Sequence, residues 1–135
     1  MDRICAWNVR GLNWPNKPED LKLFLNKQHV GLMALLETKI KPGNFDSIAA
    51  KVAPGWCSSH NFHYNPNGRI WVTWKPSIFH VQTLDASDQY IHCRVQQFQP
   101  STIFYLTIVY GHNHADARQS LWEDLCRIGQ AMNEA

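Results

Sequence analysis

The four cysteines, Cys5, Cys57, Cys93 and Cys126, include no C-x-x-C pair, and no apolar secretory segment precedes them. Both absences argue against a disulfide framework and for a reduced, intracellular protein, nuclear or cytoplasmic. Strand-like residues begin by Ile4, so no cleavable targeting peptide is expected ahead of them. No apolar run approaches the ~20 residues that cross a bilayer, which argues against an integral membrane protein. Charge of one sign is lacking too. Thirteen Lys+Arg against eleven Asp+Glu give a formal net charge of +2, too balanced for a broad polyanion-binding or membrane-adhering surface. Any contact with nucleic acid must therefore come from a local site. Internal repeats and Gly/Ser-rich linkers are also missing.

What is present is a core-forming composition. Of 135 residues, 44% are hydrophobic and 12% aromatic, which excludes disorder and low-complexity sequence. The length suits one domain of roughly 100–150 residues, or part of one.

Ile4-Cys5-Ala6-Trp7 is a short apolar run stopped by Asn8 and Gly11, as expected of a buried strand ending in a turn. Pro18-Glu19-Asp20 opens a helix with Leu21, Phe24 and Leu25 on one face, ending near Lys27. Val30 to Leu36 forms a second strand, so the first third of the chain has the order of a βαβ unit. Asn44 can cap a helix carrying Phe45, Ile48, Ala49 and Val52 on its apolar face. Asn65-Pro66-Asn67-Gly68 signals a turn before a strand over Arg69 to Trp74, which Pro76 ends. Strands over Phe79 to Leu84, Gln89 to Gln97 and Ile103 to Tyr110 follow at short spacing, as in an antiparallel meander. A last helix after Asp116 carries Leu121, Trp122, Leu125 and Ile128 on one face.

Polar residues where strands end are the informative ones, because ligands gather beyond the carboxyl ends of strands in open α/β sheets. Asn8, Glu37 and the turn from Tyr110 to Asn113 hold three such positions. A single Glu with a neighbouring Asn amide can form half of a Mg²⁺ site whose other ligands are water and phosphate oxygens. Taken singly, Asn8 is equally a turn residue and Glu37 a solvated strand end. A zinc site at Cys57, His60 and His63 would need a fourth ligand at suitable spacing, which the sequence does not supply. Trp71, Trp74 and Trp122 could stack bases, but their places on a strand and an apolar helix face suit core packing.

Four segments in order carry a resemblance: Ala6-Trp7-Asn8-Val9-Arg10-Gly11-Leu12, Leu35-Leu36-Glu37-Thr38-Lys39, Asn67-Gly68-Arg69-Ile70-Trp71, and Val109-Tyr110-Gly111-His112-Asn113 with Arg118 and Leu121-Trp122. The chain resembles the endonuclease/exonuclease/phosphatase superfamily, and within it the apurinic-type endonuclease domain of plant LINE-like (non-LTR) retrotransposons. Phosphoinositide phosphatases and messenger-RNA deadenylases of the same superfamily fit the motifs less well. The resemblance implies a DNA-cleaving domain that uses Mg²⁺, with Mn²⁺ as an alternative. It matches Glu37 to the metal-binding Glu, and Asn8 to the Asn that helps position metal and phosphate. Tyr110 matches a Tyr that contacts the scissile phosphate, and Asn113 an Asn lying against the substrate backbone. Arg10 follows the LINE pattern as a basic group beside the phosphate channel, and is equally readable as a solvated surface Arg.

The family's Gly-Asp-x-Asn and Ser-Asp-His motifs, which supply its acid/base groups, have no match, since no Gly-Asp or Asp-His dipeptide occurs. His112 and His114 flank Asn113, and Asp116 is the one orienting carboxylate in sequence reach. Residues 1–135 are therefore expected to form the N-terminal half of the domain. The implied fold is α+β, half of a four-layered α/β sandwich: one mixed β-sheet with flanking helices. Such a chain should cut DNA weakly or not at all alone, since positioned proton transfer is worth about 10²–10⁴-fold. The inner face of its sheet, including Ile103 to Val109, is expected to lie open and to favour self-association or complementation by a chain carrying the other half. The alternative function is a non-catalytic remnant that binds DNA or protein.

Overall fold

The computed structural model describes residues 2–12, 16–64 and 69–134. The turn read at Asn65 to Gly68 lies outside them. Strand β1 (Arg3–Asn8) leads into helix α1 (Lys17–Lys27), whose first turn holds Pro18, Glu19 and Asp20, and the chain returns in strand β2 (Val30–Leu36). β1 pairs parallel to β2, with Asn8 opposite Leu36, which completes the βαβ unit. A 3-10 turn at Pro42–Asn44 runs into helix α2 (Phe45–Val52). Asn44 holds the N-cap position, yet its side chain makes no capping hydrogen bond.

Strand β4 (Ile70–Trp74) lies antiparallel to β2 on one side and to a short strand β3 (Cys57–His60) on the other. The four-stranded sheet thus has the order β1-β2-β4-β3. β3 escapes sequence reading because Cys57-Ser58-Ser59-His60 has no apolar alternation; side-chain bonds define it instead. Ser58 Oγ accepts from Trp71 Nε1 at 2.9 Å, and Thr73 Oγ1 donates to the Cys57 carbonyl at 3.0 Å.

Every residue of β4 is buried. A strand apolar on both faces needs cover on both sides. Helices α1 and α2 supply one cover, with Leu21, Leu25, Ile48 and Val52 packed on Met33, Leu35 and Trp71. The other cover is a second sheet, and this corrects the expectation of one mixed sheet. β5 (Phe79–Ala86), β6 (Tyr90–Gln97) and β7 (Thr102–Val109) form an antiparallel meander of order β5-β6-β7. After the turn at Lys75–Ile78 this meander folds over the first sheet, because Phe79 and Val81 bury against Leu32, Ile70 and Val72. Helix α3 (Gln119–Glu134) then covers the outer face, seating Leu121 and Ile128 on Tyr90. All four layers are present, within an α+β fold.

The inner side of β7 is likewise not open. Phe104, Leu106 and Ile108 pack into the core between the sheets. The exposed apolar residues of that strand, Ile103, Tyr105 and Val109, alternate with them and face outward. Trp122 also departs from expectation: it is 50% exposed, whereas Trp71 and Trp74 are buried as read.

Among the described residues, side-chain hydrogen bonds tie the two sheets along the β3–β5 side. Ser59 of β3 and Thr83 of β5 share a 2.7 Å hydroxyl hydrogen bond. Buried Asn61 donates from Nδ2 to the carbonyls of Ser87 and Asp88, both at 3.2 Å, and accepts from the Ile70 amide at 3.0 Å. β1 and β7 are therefore the edges on the opposite side, where Ile4 and Ala6 of β1 stand exposed beside the buried core. The four cysteines are free thiols, and burial pushes the Cys93 thiol up to about 11, against a weaker opposing hydrogen bond from Thr83.

Candidate active site

The parallel pairing of β1 and β2 carries Asn8 and Glu37 to neighbouring carboxyl ends. The ladder continues past the strands: Val9 N donates to Leu36 O at 3.0 Å, Gly11 N to Glu37 O at 2.7 Å and Leu12 N to Thr38 O at 2.9 Å. Asn8 Oδ1 accepts the Arg10 amide at 3.1 Å, a turn that brings Arg10 to a positive φ of 52°. Lys17 Nζ closes the loop from α1 by donating to the carbonyls of Val9, Arg10 and Gly11. Asn8 and Arg10 are both exposed. Glu37 sits at φ 57° and Lys39 at φ 53°, a cluster of left-handed non-glycine residues of the kind that collects at functional sites.

The Glu37 carboxylate is 21% exposed, and its Oε1 stands 3.6 Å from Lys39 Nζ, beyond hydrogen-bond reach. Together with the Asn8 amide oxygen it makes an all-oxygen pair, the hard donor type that Mg²⁺ takes alongside water and phosphate oxygens. Among the described residues no three His, Cys, Asp or Glu side chains gather into a metal cluster. His60 stacks on Phe62 at 4.1 Å between ring centres.

Glu37 and Tyr110 are linked through a residue to which sequence reading gave no role. The Thr38 amide donates to the Arg69 carbonyl at 3.4 Å, and the Arg69 guanidinium lies over the Tyr110 ring, 5.3 Å from its centre. Tyr110, just past β7, is half-buried and packs on the inter-sheet core. Beside it opens a cavity of about 160 Å³ lined by Arg69, Asp88, Tyr110, His112, Asn113 and His114, among others. Tyr110 and Asn113 thus share one cavity, while Asn8, Glu37 and Arg10 belong to the adjoining strand ends and do not line it.

Asp88 is the other residue sequence reading missed. His112 Nε2 lies 2.5 Å from Asp88 Oδ2, so the orienting carboxylate comes from the β5–β6 turn and not from Asp116. The two lie 24 positions apart, and only the meander juxtaposes them. The loop bearing His112 is fixed by Gln89, whose Oε1 accepts the His112 amide at 2.8 Å and whose Nε2 donates to Ala117 O at 3.1 Å. Gly111 permits this closeness: a Cβ there would stand 3.3 Å from Leu121 Cδ2 and 3.4 Å from Arg118 Cδ.

The arrangement offers oxygen donors at two strand ends and, next to them, a small cavity with a guanidinium, a phenol, an amide and a carboxylate-held imidazole. That chemistry suits an oxyanion. The sequence profile of the endonuclease/exonuclease/phosphatase family matches residues 5–134. No curated protein sequence matches the chain. Among solved structures, a mannosyl-6-phosphatase of Bacteroides thetaiotaomicron superposes with a TM-score of 0.69 at 8% identity, covering 93% of this chain and 59% of its own. An endonuclease/exonuclease/phosphatase family protein of the same organism gives 0.67 at 10% identity, with 94% and 59% covered. The D. rerio protein TDP2, solved with a single-strand DNA product, gives 0.60 at 16% identity, with 98% and 54% covered. The chain spans between 54% and 59% of the length of these structures.

Proposed function

Because this chain belongs to the endonuclease/exonuclease/phosphatase family, we propose that it is a metal-dependent phosphodiester-cleaving domain of LINE-type retrotransposon ancestry acting on DNA, with low activity on its own. The observation that supports this reading best is the pairing of Asn8 and Glu37 at adjacent carboxyl ends of β1 and β2. Glu37 and Asn8 would hold Mg²⁺ or Mn²⁺, which when bound supplies Lewis-acid stabilisation of charge on a phosphoryl oxygen.

The chain's own residues bind and orient. Asn113 holds the phosphate backbone, the Tyr110 hydroxyl donates to a phosphate oxygen, and Arg10 neutralises an adjoining phosphate from the exposed loop. Acid/base groups of the family's later motifs are not among residues 1–135, so these residues by themselves are expected to cleave weakly. The experiment is plasmid nicking with Mg²⁺ or Mn²⁺, comparing the parent with Glu37→Ala. Nicking that the substitution abolishes supports the proposal; no nicking with either ion rejects the catalytic part of it.

A second reading is favoured by the exposed Ile4, Trp7, Ile103 and Tyr105 on β1 and β7: a non-catalytic domain that binds DNA or protein. DNA affinity that falls with salt and ignores Glu37→Ala would favour it, since counterion release does not involve the metal. A phosphatase or deadenylase role within the family would show instead as phosphate release from a monoester or as shortening of an RNA tail.

A further inference from the structure

We infer that Arg69 is the anion-holding residue of the cavity beside Tyr110, gripping a phosphate-type oxyanion through its guanidinium without a metal. This rests on reading that cavity as the substrate pocket. Arg69 Nε is fully buried and makes no hydrogen bond among the described residues. A guanidinium stays charged and donates through five N–H groups. Burying one of these unpaired is unfavourable, and a protein normally supplies a partner for it. Among the described residues no carboxylate forms an ion pair with Arg69; Asp88, which lines the same cavity, is bound to His112 Nε2. The Arg69 guanidinium carbon stands 5.3 Å from the centre of the Tyr110 ring, and both side chains line the cavity.

The rest of the wall fits the same ligand. Asn113 contributes an amide, His112 and His114 two imidazoles, and the cavity of about 160 Å³ has room for one tetrahedral group with its water. Behind the Gly111 strip lies a second arginine, Arg118, whose Nε is also buried without a partner among the described residues and whose Cδ and Cγ press on Gly111. Arg69 is the one arginine and Asp88 the one carboxylate among the described residues that line the cavity. A bidentate guanidinium fork matches the paired oxygens of phosphate better than an ammonium does.

The test is titration of the ¹⁵N-labelled chain with inorganic phosphate in EDTA, observing the Arg69 Nε–Hε resonance and the amides of residues 111–114. Saturable shifts at these positions are expected. Arg69→Gln should weaken binding about tenfold or more, the loss of one charge-assisted hydrogen bond. Arg69→Lys, which keeps the charge and lacks the fork, should fall between. Mannose 6-phosphate and a short oligonucleotide without terminal phosphate then separate the two sources of the oxyanion. Tighter binding of either probe, lost equally in Arg69→Gln, supports the inference and identifies the source. Unchanged affinity in Arg69→Gln and Arg69→Lys, or no binding, overturns it. Binding that needs Mg²⁺ and disappears in Glu37→Ala overturns it while leaving the metal-dependent reading standing; binding through Arg69 without any nicking does the reverse.

Discussion

The imidazole of His112 is joined to the carboxylate of Asp88 from across the meander, and Gln89, the residue after Asp88, seats the loop that carries His112. Gln89 is buried at 1% exposure; its Oε1 accepts the His112 amide and its carbonyl accepts the Tyr110 amide at 2.8 Å each. The His112–Asp88 pair itself is more than a third exposed. Asp88→Ala should therefore cost less than about 1 kcal/mol. Gln89→Leu strands the His112 amide and the Ala117 carbonyl and should cost about 1–3 kcal/mol. Urea denaturation of the two variants checks the order, and a larger loss for Asp88→Ala would contradict it.

Glu37 occupies left-handed backbone at φ 57°, where a non-glycine residue costs about 1–2 kcal/mol. Glu37→Gly should leave the melting temperature unchanged or higher while abolishing any metal-dependent cleavage. Stability lost together with activity would mean that the carboxylate's contact with Lys39 outweighs the backbone strain.

Two histidines set the response to acid. Burial lowers the pKa of His60, with His63 adding repulsion and Asp46 opposing; burial also lowers His92, with Asp85 opposing. The fold thus favours the neutral rings. As pH falls through the unfolded value of about 6.5, the unfolded chain binds protons that the native chain resists, so stability declines until the folded values are passed. Melting temperature should drop between about pH 7 and pH 5.5, and His60→Gln with His92→Gln should flatten the slope. An equal slope in the double variant would place the effect elsewhere.

Gly31 in β2 has no room for a side chain. An added Cβ would lie 2.8 Å from Asp2 Cβ and 2.9 Å from Phe79 Cε2. Phe79 is buried and cannot withdraw, so Gly31→Ala should cost about 1–3 kcal/mol. Thermal unfolding reads this directly, and a neutral outcome would show that β1 yields at its exposed start.

The unpaired edges of β1 and β7 share one side of the sandwich with exposed Ile4, Ile103 and Tyr105. Free strand edges with apolar flanks recruit further strands. Sedimentation at rising concentration should show association, reduced by Ile4→Lys. A 15.6 kDa monomer at every concentration would count against it.

The βαβ start, both long helical faces and the meander were legible because each follows a local period: 3.6 at Leu21 and Leu25, 2 along β5 to β7. That Asn8, Glu37 and Tyr110 stand where strands end was legible from the apolar runs they close, whereas their roles rest on the motif resemblance. What stayed hidden depends on the third dimension. β3 is held by hydroxyl bonds to Trp71 and Thr73 and has no apolar pattern to reveal it. The second sheet arises from the turn at Lys75–Ile78 folding the meander over, and that angle has no local signature. Asp88 and Arg69 read as ordinary loop and strand-end charges until the fold placed them against His112 and Tyr110.

Among the described residues, Ser59, Thr83 and Asn61 stitch the two sheets along the β3–β5 side like the spine of a bound book. Asn61 grips the turn that carries Asp88, so the Arg69 and His112 wall stands near the spine. Asn8 rides on β1 at the fore-edge. The anion-facing half of the site is thus fastened to both sheets through Asn61, whereas the Asn8 half hangs from the β1–β2 ladder of one sheet.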